Sequence, residues 1–124
     1  MVHEGSTVSD IKRARKESQF FKILSQLFIS ILQDDSRLQG MFVSRVALSP
    51  SYGSCDIFFS LEGGEEGFKE KLAVLKLYKP SMRKAVSSLI VGRRTPELIF
   101  KYDKQFEKQQ KIEALLDSLQ EKDV

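Results

Sequence analysis

The spacing at which apolar residues return changes between Asp34 and Phe42, and that change limits the chain to a fold mixing helix and strand. Upstream, Phe20, Phe21, Leu24, Leu27, Phe28, Ile31 and Leu32 recur at helical spacing. This predicts one long amphipathic helix over 10–34, with Asp10 as its N-cap. Downstream, Cys55, Ile57, Phe59 and Leu61 alternate strictly, the two-residue period of a strand with one face buried. The stretch FVSRVALS places Val46 and Leu48 on one side of a preceding strand, and SPSYGS between the two supplies Pro50 and Gly53 as turn chemistry. Gly40, after DDSRLQ, marks the break between helix and hairpin.

The helical period resumes after the glycine-rich EGGEEG, which is expected to be a loop. It runs through Phe68, Leu72 and Leu75, is interrupted by Pro80, and continues through Met82, Val86 and Leu89. A proline inside such a pattern kinks or breaks the helix near the preceding residue, so two helical pieces should meet at Tyr78, Lys79 and Pro80. Pro96 then sets the entry to a third strand with Leu98, Phe100 and Tyr102 on one face, and a weaker helical repeat closes the chain. Two strands followed by a helical crossover to a third predict an α+β domain, a three-stranded sheet with helices packed on one face in the order α-β-β-α(kinked)-β-α. That order is compatible with a type II KH-like arrangement, an architecture that grips nucleic acid. The expected organisation is a disordered leader over 1–9, the KH-like domain over 10–103, and a helical or partly disordered tail over 104–124.

Composition excludes more functions than it names. The 124 residues are 41% apolar with nine Phe, enough for one domain with a modest core. No stretch reaches the roughly 18 apolar residues of a membrane span, and the first residues lack the apolar centre of a secretory signal. The single cysteine, Cys55, cannot form an internal disulfide, which fits a reducing cytoplasm. It falls on the apolar face of its strand and reads as a buried small hydrophobe. With one histidine, His3, in the leader, there is no ligand set for zinc. No phosphate loop or nucleophile pairing is present, and the neighbouring carboxylates Asp34 and Asp35 read as solvated rather than as an acid/base or metal pair. Neither catalytic nor metal-binding residues are expected, and no cofactor.

Charge is where the chain departs from the ordinary. From Lys71 to Pro96 there are seven basic residues and no acid, whereas the segment after Tyr102 carries six acids and four bases. Sorting of this kind predicts a basic face meeting a polyanion. Its candidate residues are Lys76, Lys79, Arg83, Lys84, Arg93 and Arg94, joined by Arg15 on the first helix and Arg45 on the first strand. Lys76, Lys79 and Arg83 are spaced to form a stripe if the kink is mild. The alternative for Arg93 and Arg94 is pairing with nearby acids such as Glu97 or Asp103. Lys12, Arg13, Arg15 and Lys16 crowd the first turns of the long helix, against its positive dipole end; either those turns fray or the charges have an anionic partner. A non-catalytic adaptor that docks partners on an apolar patch around Phe58 and Ile99 is the competing reading.

Two stretches carry a family resemblance. SRVALSPSYGSCDIFFSL and GRRTPELIFKYD, with DSRLQG after the first helix, resemble the ribosome-binding factor A (RbfA) family and its patterns V-x-L-S-x-D, R-x-x-P-E-L-x-F-x-x-D and D-P-R-L. The resemblance covers roughly Arg15 to Leu116. It implies a cytoplasmic, KH-type-II-like factor without catalytic activity that binds free, immature 30S subunits and 16S rRNA, assists late processing of the 16S rRNA 5′ end, and is linked to growth in the cold; a monomer is expected because no heptad repeat or large apolar face demands a partner. It implies neither a membrane nor a small-molecule substrate. The chain departs from the family pattern at the helical joint, where Tyr78, Lys79 and Pro80 replace an alanine–x–glycine kink, at Ser36 in place of proline, and in a hairpin turn without the aspartate.

Overall fold

The computed structural model describes residues 7–92 and 94–122. The long helix, α1 (Val8–Asp34), starts two residues earlier than expected. Its cap is Thr7: the Thr7 hydroxyl accepts from the Asp10 N–H at 3.1 Å, and the Asp10 carboxylate accepts from the Thr7 N–H at 3.2 Å. Asp10 is therefore the third residue of a capping box rather than the cap itself. Phe20, Leu24, Phe28 and Ile31 make the buried stripe, while Phe21 remains 38% exposed.

A short 3-10 turn over Ser36–Leu38 leads into β1 (Met41–Leu48), which pairs antiparallel with β2 (Ser54–Leu61). The connecting turn closes with Tyr52 at φ 64° and its N–H donating to the Ser49 carbonyl at 2.9 Å. Left-handed backbone is uncommon for a residue with a Cβ. Next come α2 (Gly64–Lys76) and α3 (Lys79–Ser87), which cross over to β3 (Glu97–Tyr102), parallel to β2, giving the order β1-β2-β3. The segment α4 (Lys104–Lys122) closes the chain. This is the expected α+β order, and the two helical pieces meet where Pro80 requires, with the proline in the first turn of α3, a position that needs no N–H.

EGGEEG is not a loop throughout. Gly64 takes φ 68° to turn the chain, and α2 begins there. Glu65 and Glu66 fall in its first turn, where carboxylates suit the positive end of the dipole. Gly67 lets the helix approach β2, since a Cβ there would stand 3.3 Å from a Leu61 methyl.

The core lies between one sheet face and the helices. Cys55, Ile57, Phe59 and Leu61 are all buried there, as the alternation predicts. Phe59 is its centre, with the rings of Phe28, Phe100 and Phe68 at 5.3, 5.5 and 6.3 Å. Burying a side chain of this size stabilises the fold by about 1.5–3 kcal/mol. Burial also pushes the Cys55 thiol up to about 12, so it stays protonated and unreactive.

Candidate nucleic-acid interface

The parallel pairing of β3 with β2 decides which cations meet. It carries the chain just before β3 back to the start of β2, beside the first turns of α3. Lys79, Arg83 and Arg94 thereby line one cleft of about 420 Å³, with Gly53 and Glu97 among its walls. The Lys79 ammonium lies 5.4 Å from the centre of the Phe100 ring, a cation–π contact that steadies a flexible side chain. Lys76 and Lys84 are exposed on the flanking turns and do not line the cleft. Among the described residues, no carboxylate is in ion-pair range of Lys76, Lys79, Arg83, Lys84 or Arg94. Arg94 thus pairs with neither Glu97 nor Asp103. Arg93 lies outside the described residues, as does His3.

The remaining two candidates sit elsewhere. Arg15 is exposed on α1 and lines a separate groove. Arg45 belongs to the opposite face of the sheet, where its guanidinium covers the Phe58 ring at 3.7 Å and its Nε donates to Asp103 at 3.1 Å. A bulge in β1 between Val43 and Arg45 makes this possible, bringing the Ser44 hydroxyl within 2.6 Å of the same carboxylate oxygen. The other oxygen of Asp103 accepts the Phe106 N–H at 3.0 Å, capping the first turn of α4. Asp103 is 1% exposed. Burial alone would raise its pKa, but the hydrogen bonds from Ser44, the Phe106 N–H and Arg45 outweigh that and hold it below its ordinary value. Phe58 and Ile99 are both half-buried, and with Arg45 over Phe58 and a Lys101–Asp56 ion pair at 2.9 Å, this face is not an open apolar patch.

The helical joint has an anchor that the sequence did not reveal. Asp35 is buried, not solvated. It accepts from Arg37 through Nε at 2.9 Å, a second guanidinium nitrogen at 2.7 Å and the backbone N–H at 3.0 Å. The Tyr78 hydroxyl donates to it at 2.6 Å. Hydrogen bonds from Arg37 first and Tyr78 second hold the Asp35 carboxyl well below the usual carboxylate range, and the bond to Asp35 raises the Tyr78 phenol. With its lone pairs taken by Arg37 and Tyr78, Asp35 is a structural hub rather than an acid/base partner for Asp34. The joint that would carry glycines in a KH loop is here pinned by a phenol, and it offers the cation of Lys79 in place of close backbone N–H groups.

Comparison with known proteins places this arrangement. The family model for ribosome-binding factor A matches residues 12–116, from the second turn of α1 into α4. The chain belongs to the ribosome-binding factor A family. Ribosome-binding factor A of Citrifermentans bemidjiense is 32% identical over 107 residues, covering 86% of this chain and 89% of that protein. The Acaryochloris marina protein of the same description is 35% identical over 97 residues, with 77% and 70% covered. The crystal structure of ribosome-binding factor A from Thermus thermophilus aligns with a TM-score of 0.58 at 25% identity, covering 71% of this chain and 92% of that one. The KH-like reading of the fold stands on that likeness.

The motifs that carry the family pattern are largely structural in this member. Pro96 and Leu98 are buried, Asp103 is the hub of β1, β3 and α4, and in Asp35–Arg37–Leu38 the carboxylate holds the arginine while Leu38 is fully buried. The cations lie between these motifs, on the surface they support. No helix among the described residues is long and apolar enough to cross a membrane.

Proposed function

We propose that this protein is a maturation factor of the small ribosomal subunit, which binds free, immature 30S particles and their 16S rRNA in the cytoplasm and assists late processing of the 16S rRNA 5′ end. The observation that carries the reading is the cleft of Lys79, Arg83 and Arg94, without a paired carboxylate among the described residues, in a member of the ribosome-binding factor A family. Lys and Arg hold phosphates without demanding one particular geometry, so side chains at this joint take the part that glycine N–H groups play elsewhere. The protein works by holding one rRNA arrangement more tightly than another, which shifts its population without bond chemistry. Arg93 is part of this face in the proposal, and Lys76 and Lys84 extend it at the margins.

Salt tests the reading. A single strand releases counterions with a slope of about −0.7 per phosphate contact, so roughly five contacts predict an affinity for 16S rRNA that falls about 100-fold between 50 and 200 mM salt. A titration by filter binding across that range measures it. A flat response would move the apolar adaptor to first place.

A further inference from the structure

The cleft has a neighbour across the hairpin turn. A second groove, of about 630 Å³, runs between α1 and the chain leaving α3. One wall is Lys12, Arg13, Arg15 and Lys16; Leu89, Ile90 and Val91 lie opposite. The two grooves share the same dividing segments. Pro50 and Tyr52 line one and Gly53 the other, while the chain after α3 lines the first at Leu89–Val91 and the second at Arg94 and Thr95.

Three observations point to an anionic ligand for this groove. Four cations within five residues repel at i,i+3 and i,i+4 spacing, and among the described residues only Arg13 has an ion-pair partner, Asp10 at 3.3 Å. Glu17, the nearest other acid along the helix, is occupied by the Leu48 N–H at 2.7 Å. The charges are not relieved by fraying, because the capping box closes the first turn of α1. The groove is also held in shape: the Lys16 ammonium donates to the Leu89 carbonyl at 2.8 Å, fastening the basic wall to the apolar one. Val91 is 91% exposed on that apolar side.

A duplex would offer such a groove phosphates alone and leave the apolar wall unused. A single strand can lay its phosphates along the cations and turn its unpaired bases, which a duplex keeps stacked inside, towards exposed Val91 and the half-buried Leu89 and Ile90. We propose that the α1 groove is a second RNA site that takes a single-stranded segment while the α3 cleft holds another part of the same rRNA. The inference rests on the rRNA-binding reading above.

The test uses the full chain, a short fluorescein-labelled single-stranded RNA, the duplex of the same sequence, and a polyglutamate peptide. Lys12→Glu with Arg15→Glu alters exposed side chains only. It should weaken the single strand about tenfold and leave duplex binding at the wild-type level, whereas Arg83→Glu with Arg94→Glu should weaken both. Equal loss for single strand and duplex in the groove variant would reduce the effect to general electrostatics, and no loss would remove the groove as a site. If the groove variant lost only the polyglutamate peptide, the occupant would be an acidic protein segment and the RNA assignment would fall. Wild-type protein that bound neither RNA would overturn the rRNA-binding reading itself, a result separate from loss of the groove alone.

Discussion

Alanine at Asp103 is expected to lower the free energy of unfolding by about 3 kcal/mol, because it leaves a guanidinium, a hydroxyl and a helix N–H without their buried acceptor. The carboxylate joins three elements at once: Ser44 and Arg45 of β1, the end of β3, and the first turn of α4. For a chain of this length the loss corresponds to roughly 10 °C in the unfolding midpoint. Its pH dependence has a definite sign. Asp103 and Asp35 both titrate below their ordinary value of 3.8 in the folded protein. Each therefore contributes stability that is fully present above the unfolded pKa and is lost as pH falls through the folded one. Stability of the wild type against urea should fall steadily below about pH 4, and Asp103→Ala, already lacking one such group, should show a shallower fall over the same window. A variant as stable as wild type at neutral pH would contradict the placement of Asp103 as the hub.

Charge reversal in the cleft is the second large effect. Arg83→Glu with Arg94→Glu removes two phosphate partners and places two carboxylates where phosphates would lie, so affinity for 16S rRNA should fall on the order of 100-fold at 0.1 M salt. The salt slope should become shallower by about 1.4. Both side chains are exposed, so the midpoint of unfolding should move little, which separates lost binding from lost fold. The same double change that left rRNA binding and its salt slope intact would remove the cleft from the account.

How much of this was legible depended on distance along the chain. The strands were readable because alternation is local: each of Cys55, Ile57, Phe59 and Leu61 reports its own face. The break at Pro80 was readable for the same reason, since a missing N–H acts on its own turn. The acid-free run was visible as a basic face, but its division was not. That Lys79 and Arg83 meet Arg94 while Lys76 and Lys84 do not follows from the register of β3 on β2, a tertiary fact. Arg45 looked like another surface cation until the bulge in β1 turned it towards Asp103. The Asp35–Tyr78 bond joins residues 43 apart in sequence, and no local pattern announces such a contact. Two features were within reach. Glu65 and Glu66 at the head of an apolar helical period signal a helix start, which the neighbouring glycines obscured. Thr7 followed three residues later by Asp10 resembles the signature of a capping box, with Asp in place of the usual Glu or Gln.

The central claim is that this protein binds the free small subunit through its basic face. Sedimentation of the full chain with 30S subunits, 70S ribosomes and isolated 16S rRNA, at low and at high salt, tests it most directly. Co-migration with 30S particles and not with 70S ribosomes is expected at low salt, lost as salt rises. Failure to migrate with any ribosomal particle, or co-migration that salt leaves unchanged, would contradict it.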